Sequence, residues 1–376
     1  MRPHPQERIV QDDHRVAGLD GLRGLAALYV VVHHCWLLSF PGYPANTGPG
    51  WLGWLVHGRF AVVVFITLSG FSLALAPARN GWRLGGLRRY LRRRARRILP
   101  AYWVALVLSA ALAACLPALP LSEPPTVRSM VVYALLLQDF VAAPAPNGAF
   151  WSIAVEAGLY LAFPLVLLAR RRLGAIATLV VVTVPVVAAG LLVPELATGA
   201  RATGYTWELA PLFTLGVLAA GMRARPLLAA LAAAPVLALI VFRGPVWTVT
   251  HYYWLDLAVG PAIALFLAAV AGRRPAGLVR VLDCRPLRAL GGYSYSLYLI
   301  HMPIVALVHR GTGLTAYGET VFLAVPLCLA AARLFAAVLE KPGPQSVSPP
   351  TADTGHTGGP ARPAPASRPH KAGPAA

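Results

Sequence analysis

The sequence predicts an all-α membrane protein, a polytopic bundle of about ten transmembrane helices with one short re-entrant or interfacial segment. Of its 376 residues, 57% are hydrophobic and only 12% are charged, which lies far outside the averages of soluble proteins. Apolar stretches of ~20 residues, the length needed to cross a bilayer, recur along the chain. The basic residues gather in short runs between these stretches, as cytoplasmic loops of membrane proteins do.

The formal charge of +19 at pH 7 reflects 33 Lys and Arg residues against 14 Asp and Glu residues. Taken alone, such an excess suggests a nucleic-acid or other anionic partner. Its confinement to runs between apolar stretches argues against nucleic acid and for membrane topology. We therefore expect a multi-pass protein of the cell membrane with the lipid bilayer as partner, no nucleic acid, and both termini in the cytoplasm.

The first predicted helix, residues 18–40, carries Arg23 and two adjacent histidines. At 100° per residue the steps from Arg23 to His34 make three turns plus about 20°, which places both side chains on one face, roughly 16 Å apart. His33 falls about 80° from that line, and Asp20 is spaced to pair with Arg23. A lone histidine in a span more often serves helix packing, but ionisable groups there usually face a polar cavity. Arg23 and His34 are therefore the leading catalytic candidates.

The second predicted helix, residues 59–76, contains FITLSGFSLAL, in which Ser69 precedes Gly70. Small residues let helices approach closely, so packing is the favoured role of this pair. The Ser69 hydroxyl could also donate a hydrogen bond to a substrate or to His34, which makes Ser69 a secondary candidate.

The stretch RNGWRLGGLRRYLRRRARR, residues 79–97, is the strongest topological signal and is predicted to be a cytoplasmic loop. Topological anchoring alone would explain its arginines. Five guanidinium groups near the Arg23 end of the first helix would also form a landing site for a polyanionic nucleotide donor, and the two roles are compatible. The five are Arg92, Arg93, Arg94, Arg96 and Arg97, of which Arg92, Arg93, Arg96 and Arg97 are the donor-binding candidates.

Residues 127–141 form a short apolar segment that ends in Gln138 and Asp139. If this segment crosses the membrane, the arginines at 170–172 fall outside and the loop bias inverts from there on. If it is re-entrant or interfacial, the next helix runs from outside to inside and every later basic loop is cytoplasmic. We prefer the second interpretation, which gives ten spans at approximately 18–40, 59–76, 100–117, 151–169, 173–193, 207–222, 226–242, 252–271, 286–309 and 317–339.

Two of the later spans carry polar stripes. In WSIAVEAGLYLAFP, residues 151–164, steps of four place Ser152, Glu156 and Tyr160 near one face. Glu156 needs a partner or a polar cavity in that position, and structural pairing and the orienting of a catalytic histidine both remain open. In GGYSYSLYLIHMPI, residues 291–304, Ser294, Tyr298 and His301 form a second stripe. His301 is a further candidate for orienting or proton relay.

The predicted boundaries divide the chain into three parts. Residues 1–17 form a cytoplasmic N-terminal segment, residues 18–342 the membrane domain, and residues 343–376 a Pro/Gly/Ala-rich cytoplasmic tail that cannot bury a core and is expected to be disordered.

The four cysteines are scattered without CxxC spacing, so we expect small buried residues, no disulfide framework and no metal site. They are Cys35, Cys115, Cys284 and Cys328.

Together these stretches resemble the acyltransferase-3 family of integral membrane O-acyltransferases. DGLRGLAALYVVVHH is similar to the family's opening signature, an Arg and a His separated by ten residues; Arg23 and His34 fit this spacing and His33 does not. FITLSGF, RRRARRILPAYW, WSIAVEAGLYLAFP, YSLYLIHMP and LEKP follow in the family's order. The resemblance covers roughly residues 18–342.

The resemblance implies a ten-helix membrane domain that moves an acyl group, usually acetyl from acetyl-CoA, to a hydroxyl of a sugar or glycoconjugate. It implies an essential Arg–His pair, and acyl-CoA as a co-substrate rather than a permanently bound cofactor. Some members carry an additional extracytoplasmic esterase-like domain that is absent from this sequence. Acyl transfer is therefore expected to finish within the membrane domain or with a separate partner.

The expected mechanism is general base catalysis. CoA would dock against the arginine stretch and Arg23, its phosphopantetheine arm would enter the helix cavity, and His34 would deprotonate the acceptor hydroxyl. In a rival scheme His34 accepts the acyl group covalently and passes it on.

Two other functions remain open. One is acylation of a small secondary metabolite such as a macrolide, because the membrane domain alone does not reveal its acceptor. The other is a non-enzymatic transporter of a glycolipid or small anion. The missing internal repeat and the shortage of intramembrane carboxylates argue against transport.

Overall fold

The computed structural model describes residues 15–116, 118–197, 206–312 and 317–340, and the statements below concern these ranges. The predicted tail, residues 343–376, lies outside them, as does all but residues 15–17 of the predicted N-terminal segment. The helices are α1 (Leu19–Ser39), α2 (Arg59–Arg79), α3 (Leu87–Cys115), α4 (Val127–Ala134), α5 (Trp151–Leu173), α6 (Ala175–Leu192), α7 (Pro194–Ala197), α8 (Leu209–Ala219), α9 (Pro226–Thr250), α10 (Tyr252–Ala271), α11 (Ala276–Leu282), α12 (Arg285–Gly292), α13 (Ser294–Thr312) and α14 (Tyr317–Leu339), with a 3-10 helix (Gly50–His57) between α1 and α2.

The described residues form an all-α membrane helix bundle, as the sequence predicts. Seven helical stretches within them are long and apolar enough to cross a membrane, and one of these, Trp151–Leu192, holds both α5 and α6. Each of the ten predicted spans overlaps a helix, although α8 has only 11 residues. Helix α4 has eight residues and rises only about 12 Å. That length is too short to cross, which fits the re-entrant or interfacial interpretation of residues 127–141.

The arginine stretch is not a loop throughout, which corrects the sequence interpretation. Helix α3 begins at Leu87 and runs 29 residues without interruption, through Pro100. Leucine and arginine are good helix formers, and nothing between Leu87 and Pro100 breaks the pattern. The arginines from Arg88 to Arg97 therefore occupy defined faces of a helix.

The span predicted at 286–309 is also not one helix. It divides into α12 and α13, and Tyr293 lies between them. Glycine weakens a helix interior, and Gly291 is required here for a close contact. A Cβ at Gly291 would lie 2.0 Å from the Asp20 carbonyl oxygen, and a Cβ at Gly24 would lie 2.8 Å from the Gly291 nitrogen.

Helices α1 and α12–α13 consequently run parallel. Gly24 meets Gly291 at one end, and ten residues further along each helix His34 meets His301. We call the end of the bundle where α1, α3 and α12 begin the basic end, because Arg23, Arg94 and Arg97 lie there.

The sequence LEKP has a structural role at the start of α13. The backbone N–H of Ser296 donates a hydrogen bond to Glu340 Oε1 at 3.0 Å, and the Ser296 hydroxyl donates to the same oxygen. The first N–H groups of a helix have no partner within it, and a carboxylate there is favoured by the helix dipole. Glu340 thus caps the helix that carries Tyr298 and His301.

Helices α2 and α8 cross at two glycines. A Cβ at Gly70 would lie 2.1 Å from the Phe213 carbonyl oxygen, and one at Gly216 would lie 2.0 Å from the Thr67 carbonyl oxygen. Only residues without a side chain permit this approach. The predicted packing role of Gly70 is confirmed.

The bundle also buries an ion network that the sequence interpretation did not single out. Arg59 at the start of α2 donates to Glu208 Oε1 and to Asp256 Oδ2, each at 2.7 Å, and both carboxylates are fully buried. Intramembrane carboxylates are therefore less scarce than the sequence argument against transport assumed. Their pairing with Arg59 links α2, α10 and the residue preceding α8.

Two of the four cysteines contradict the expectation of burial. Cys35 and Cys328 are buried, but Cys115 and Cys284 are exposed. Cys115 is the last residue of α3, and Cys284 directly precedes α12. Side chains at helix ends are more exposed than those in the packed middle of a helix.

Candidate active site

A cavity of about 160 Å³ lies between α1, α2, α3, α5 and α13. Its walls combine guanidinium groups at the basic end with hydroxyls, one carboxylate and apolar side chains further in. The polar lining residues are Arg23, Ser69, Ser72, Arg94, Arg97, Ser152, Glu156, Tyr160, Ser294, Tyr295 and Tyr298. The predicted polar faces of three helices thus meet in one space.

Arg23 lies at the basic end of this cavity and is held from two sides. Its Nη1 donates to Asp20 Oδ1 at 3.5 Å and its Nη2 donates to Ser72 Oγ at 3.3 Å. The pairing with Asp20 predicted from the spacing is confirmed. Asp20 is shared with Arg15, whose Nε lies 2.9 Å from the other carboxylate oxygen.

The helical arrangement of the arginine stretch separates its members. Arg94 and Arg97, three residues apart on one face of α3, line the cavity together with Arg23. Arg92, Arg93 and Arg96 are exposed and are not among the residues that line it. Of the four donor-binding candidates only Arg97 therefore reaches the cavity, and Arg94 joins it. Tyr90, four residues before Arg94, is buried. An aromatic residue one helical turn before Arg94 is the sequence signal that this stretch has a buried helical face.

Glu156 forms a hydrogen-bonded group with two neighbours in the cavity wall. The Ser69 hydroxyl donates to Glu156 Oε1 at 2.7 Å, and the Tyr160 hydroxyl donates to the same oxygen. Ser152, Glu156 and Tyr160 all line the cavity, as the helical spacing predicts. The structure pairs Glu156 and Ser69 with each other and not with His34.

His34 meets His301 across the α1–α13 contact. The ring centroids are 5.0 Å apart, and His301 Nε2 lies 3.2 Å from His34 Nδ1. His34 Nδ1 is also 2.8 Å from the Val30 carbonyl oxygen, and His301 Nδ1 is 2.8 Å from the Tyr298 carbonyl oxygen.

These contacts assign the protons of both rings. A carbonyl oxygen only accepts, so each Nδ1 must carry a hydrogen in the neutral imidazoles. His34 Nδ1–H is then shared between the Val30 carbonyl oxygen and His301 Nε2. The lone pair of His34 is consequently on Nε2, and the side chain is only partly buried. His34 Nε2 can take a proton from a bound hydroxyl.

His33 has a different environment, as its position on the helix predicts. It is buried, and its Nδ1–H donates to the Leu55 carbonyl oxygen at 2.6 Å. A Cβ at Gly58 would lie 2.3 Å from the His33 ring. His33 thus fixes the 3-10 helix against α1.

The cavity lining ends at Tyr298, one turn before His301 on α13. Neither histidine of the pair is among the residues that line it. The basic end and the histidine pair are therefore two parts of one region, separated by the ring of Tyr298.

Comparison with known proteins gives one family and several relatives. The profile of the family described as "Acyltransferase domain" matches residues 16–341. The "Putative peptidoglycan O-acetyltransferase YrhL" of Bacillus subtilis (strain 168) is 27% identical over 352 residues, covering 82% of this chain and 51% of YrhL. The "Acyltransferase MdmB" of Streptomyces mycarofaciens is 26% identical over 320 residues, covering 80% of this chain and 81% of MdmB.

A shorter match, 36% identical over 82 residues, is to the "O-acetyltransferase PaAT-1" of Phomopsis amygdali, and it covers 20% of this chain and 16% of PaAT-1. The chain spans about half the length of YrhL, at 51%. No solved structure matches the sequence.

Proposed function

This chain belongs to the acyltransferase family whose domain matches residues 16–341, and from that membership we propose that it transfers an acyl group, acetyl in the first instance, from acyl-CoA to a hydroxyl. The proposed acceptor is a carbohydrate, glycoconjugate or cell-envelope polymer. YrhL, named as a peptidoglycan O-acetyltransferase, supports an acceptor of this class.

The observation that carries the proposal is the histidine pair. His34 has its Nε2 lone pair available because Nδ1–H is donated to Val30 and His301. It lies on the same helix as Arg23, three turns further from the basic end. A base at this distance from a cationic opening suits a donor with charged phosphates at one end and a reactive thioester at the other.

The basic end of the cavity supports acyl-CoA as the donor. Arg23, Arg94 and Arg97 line this part of the cavity, and guanidinium groups bind phosphate oxygens in bidentate fashion. The interior, lined by hydroxyl and apolar side chains, would take the uncharged arm of the donor. Acyl-CoA is a co-substrate in this scheme and no resident cofactor is involved.

In the reaction, His34 Nε2 removes the proton of the acceptor hydroxyl as its oxygen attacks the thioester carbonyl carbon. The carbon–sulfur bond then breaks, and the CoA thiolate takes up the proton that His34 holds. General base catalysis of this kind contributes roughly 10²–10⁴-fold in rate. The rival scheme, an acyl group carried on His34, would require attack by Nε2 itself.

The test uses the full chain in lipid nanodiscs with radiolabelled acetyl-CoA and a soluble peptidoglycan fragment as the acceptor probe. We expect labelled acceptor from the wild type, and loss of activity in His34→Ala and in Arg23→Ala. His33→Gln is the matched control, since it alters the neighbouring imidazole and should retain activity. Activity retained in His34→Ala would refute the assignment. Uptake of the acceptor into sealed proteoliposomes that carry the protein, without acylation of the acceptor, would favour the transporter.

A second candidate is a small secondary metabolite as acceptor. The chain covers 81% of MdmB but only 51% of YrhL, so MdmB is matched over most of its length. Feeding labelled acetate to producing cells separates the two candidates. Label in the cell wall that disappears on deletion of this protein supports the envelope polymer, and label in extracted small molecules that disappears supports the metabolite.

A further inference from the structure

Two aromatic rings meet in the inner part of the cavity wall. Phe65 of α2 and Tyr298 of α13 both line it, with ring centroids 6.0 Å apart and ring planes at 72°. Rings in this T-shaped arrangement are in contact. Between them there is no room for an acyl chain.

The two rings are held differently. The Tyr298 hydroxyl donates to the Ala149 carbonyl oxygen at 3.0 Å and accepts from the Ser152 hydroxyl at 2.6 Å, since the carbonyl oxygen can only accept. Tyr298 is also buried. Phe65 has no polar atom to fix its ring, and it is only partly buried. Passage at this point therefore depends on rotation of Phe65 against a fixed Tyr298.

The ring pair lies directly before the proposed base. Tyr298 precedes His301 by three residues, about 4.5 Å along the helix axis, and their ring centroids are 5.6 Å apart. His301 in turn contacts His34. A thioester that enters from the basic end must bring its carbonyl carbon to this level, so its acyl group meets the two rings first.

We propose that the Phe65–Tyr298 pair selects the acyl group of the donor by its length. A short acyl group is accommodated when Phe65 rotates, and each added methylene must displace the rings further. This inference rests on the proposed acyl-CoA function and adds the residues that decide which acyl group is used. Methylene groups in such apolar sites change specificity by roughly 10- to 200-fold.

The experiment measures chain-length preference in nanodiscs by two methods. Binding is titrated with non-transferable thioether analogues of acetyl-CoA, butyryl-CoA and octanoyl-CoA, and turnover is followed with the corresponding thioesters. Phe65→Ala should raise the octanoyl-to-acetyl ratio at least about tenfold. Phe65→Trp should lower the butyryl-to-acetyl ratio.

Leu73→Ala is the matched control, because Leu73 lines the same cavity beside Ser72 at the basic end. Its chain-length ratios should equal those of the wild type. Tyr298→Phe keeps the ring but removes both hydroxyl contacts, and it should relax the preference in the same direction as Phe65→Ala.

The two failures are distinguishable. If the wild type binds and uses acetyl-CoA but the ratios are the same in Phe65→Ala, Phe65→Trp and Leu73→Ala, the inference is overturned and the proposed function stands. If the wild type neither binds nor uses any acyl-CoA, both are overturned. Opposite shifts in the two Phe65 variants, absent from Leu73→Ala, would support the inference.

Discussion

At the scale of single residues, the histidine pair gives a prediction about His301. In the proposed mechanism His34 becomes positively charged in the transition state, and His301 Nε2, 3.2 Å from His34 Nδ1, would accept its hydrogen. Hydrogen bonds to charged groups contribute about 1.5–3 kcal/mol, which corresponds to roughly tenfold to a hundredfold in rate. We expect His301→Ala to lower kcat by this factor with little change in the KM for acetyl-CoA.

His301→Gln separates this positioning role from packing. The glutamine carbonyl oxygen can accept the same hydrogen, so this variant should recover part of the lost kcat. Equal kcat in the alanine and glutamine variants, or a change confined to KM, would contradict the role. Initial rates at several acetyl-CoA concentrations decide between these outcomes.

The arginines of α3 give a second prediction at this scale. Arg94 and Arg97 line the cavity, whereas Arg92 and Arg96 are exposed on another face of the same helix. We expect Arg94→Ala and Arg97→Ala each to raise the KM for acetyl-CoA about tenfold or more, by the loss of charge-assisted hydrogen bonds to phosphate.

Arg92→Ala and Arg96→Ala are charge-matched controls in the same stretch. They should leave the KM for acetyl-CoA within about twofold, because their guanidinium groups do not line the cavity. Equal effects in all four variants would mean that the stretch attracts the donor through its summed positive charge and that the face of the helix is unimportant.

At the scale of elements, the contact between α1 and α12 predicts a strict requirement for Gly24. A Cβ at Gly24 would lie 2.8 Å from the Gly291 nitrogen and 3.1 Å from the Leu287 carbonyl oxygen, and backbone atoms cannot move aside cheaply. Overpacking typically costs about 1–3 kcal/mol. We expect Gly24→Ala to lower the thermal unfolding midpoint in detergent and to reduce acyl transfer.

Gly158→Ala is the control for this prediction. Gly158 is also inside a helix, α5, but a Cβ there would meet nothing within 4 Å. Its midpoint should stay at or above that of the wild type, since alanine is the better helix former. An unchanged midpoint in Gly24→Ala would contradict the close α1–α12 contact.

The same elements show what could be predicted from the sequence. Helical spacing placed Arg23 and His34 on one face and separated His33 correctly, because these relations depend only on the geometry of one helix. The pairing of His34 with His301 could not be derived, since it depends on the contact of Gly24 with Gly291 267 residues away. The position of Arg94 in the cavity wall does not follow from interpreting the charged stretch as a loop, although Tyr90, Arg94 and Arg97 have the spacing of a helical face.

At the scale of the whole molecule, the number and type of elements follow from length and hydropathy, but their orientation follows only from the distribution of charge. That distribution predicts that the basic end faces the cytoplasm. The proposed chemistry needs the same orientation, because acyl-CoA is made in the cytoplasm and the arginine-lined part of the cavity lies at this end. The prediction that the basic end faces the cytoplasm therefore tests the orientation and the proposed donor together.

The two exposed cysteines provide a test of orientation with native residues. Cys284 lies at the basic end, next to Asp283, whose carboxylate pairs with Arg15. Cys115 is the last residue of α3, 28 positions after Leu87 and so about 42 Å along the helix from the basic end. In variants that keep only one of these two cysteines, a membrane-impermeant maleimide should label Cys115 in intact cells and Cys284 only after permeabilisation. The reverse pattern would place the basic end outside and contradict donor entry from the cytoplasm. Labelling of both residues from one side would contradict a membrane crossing by α3.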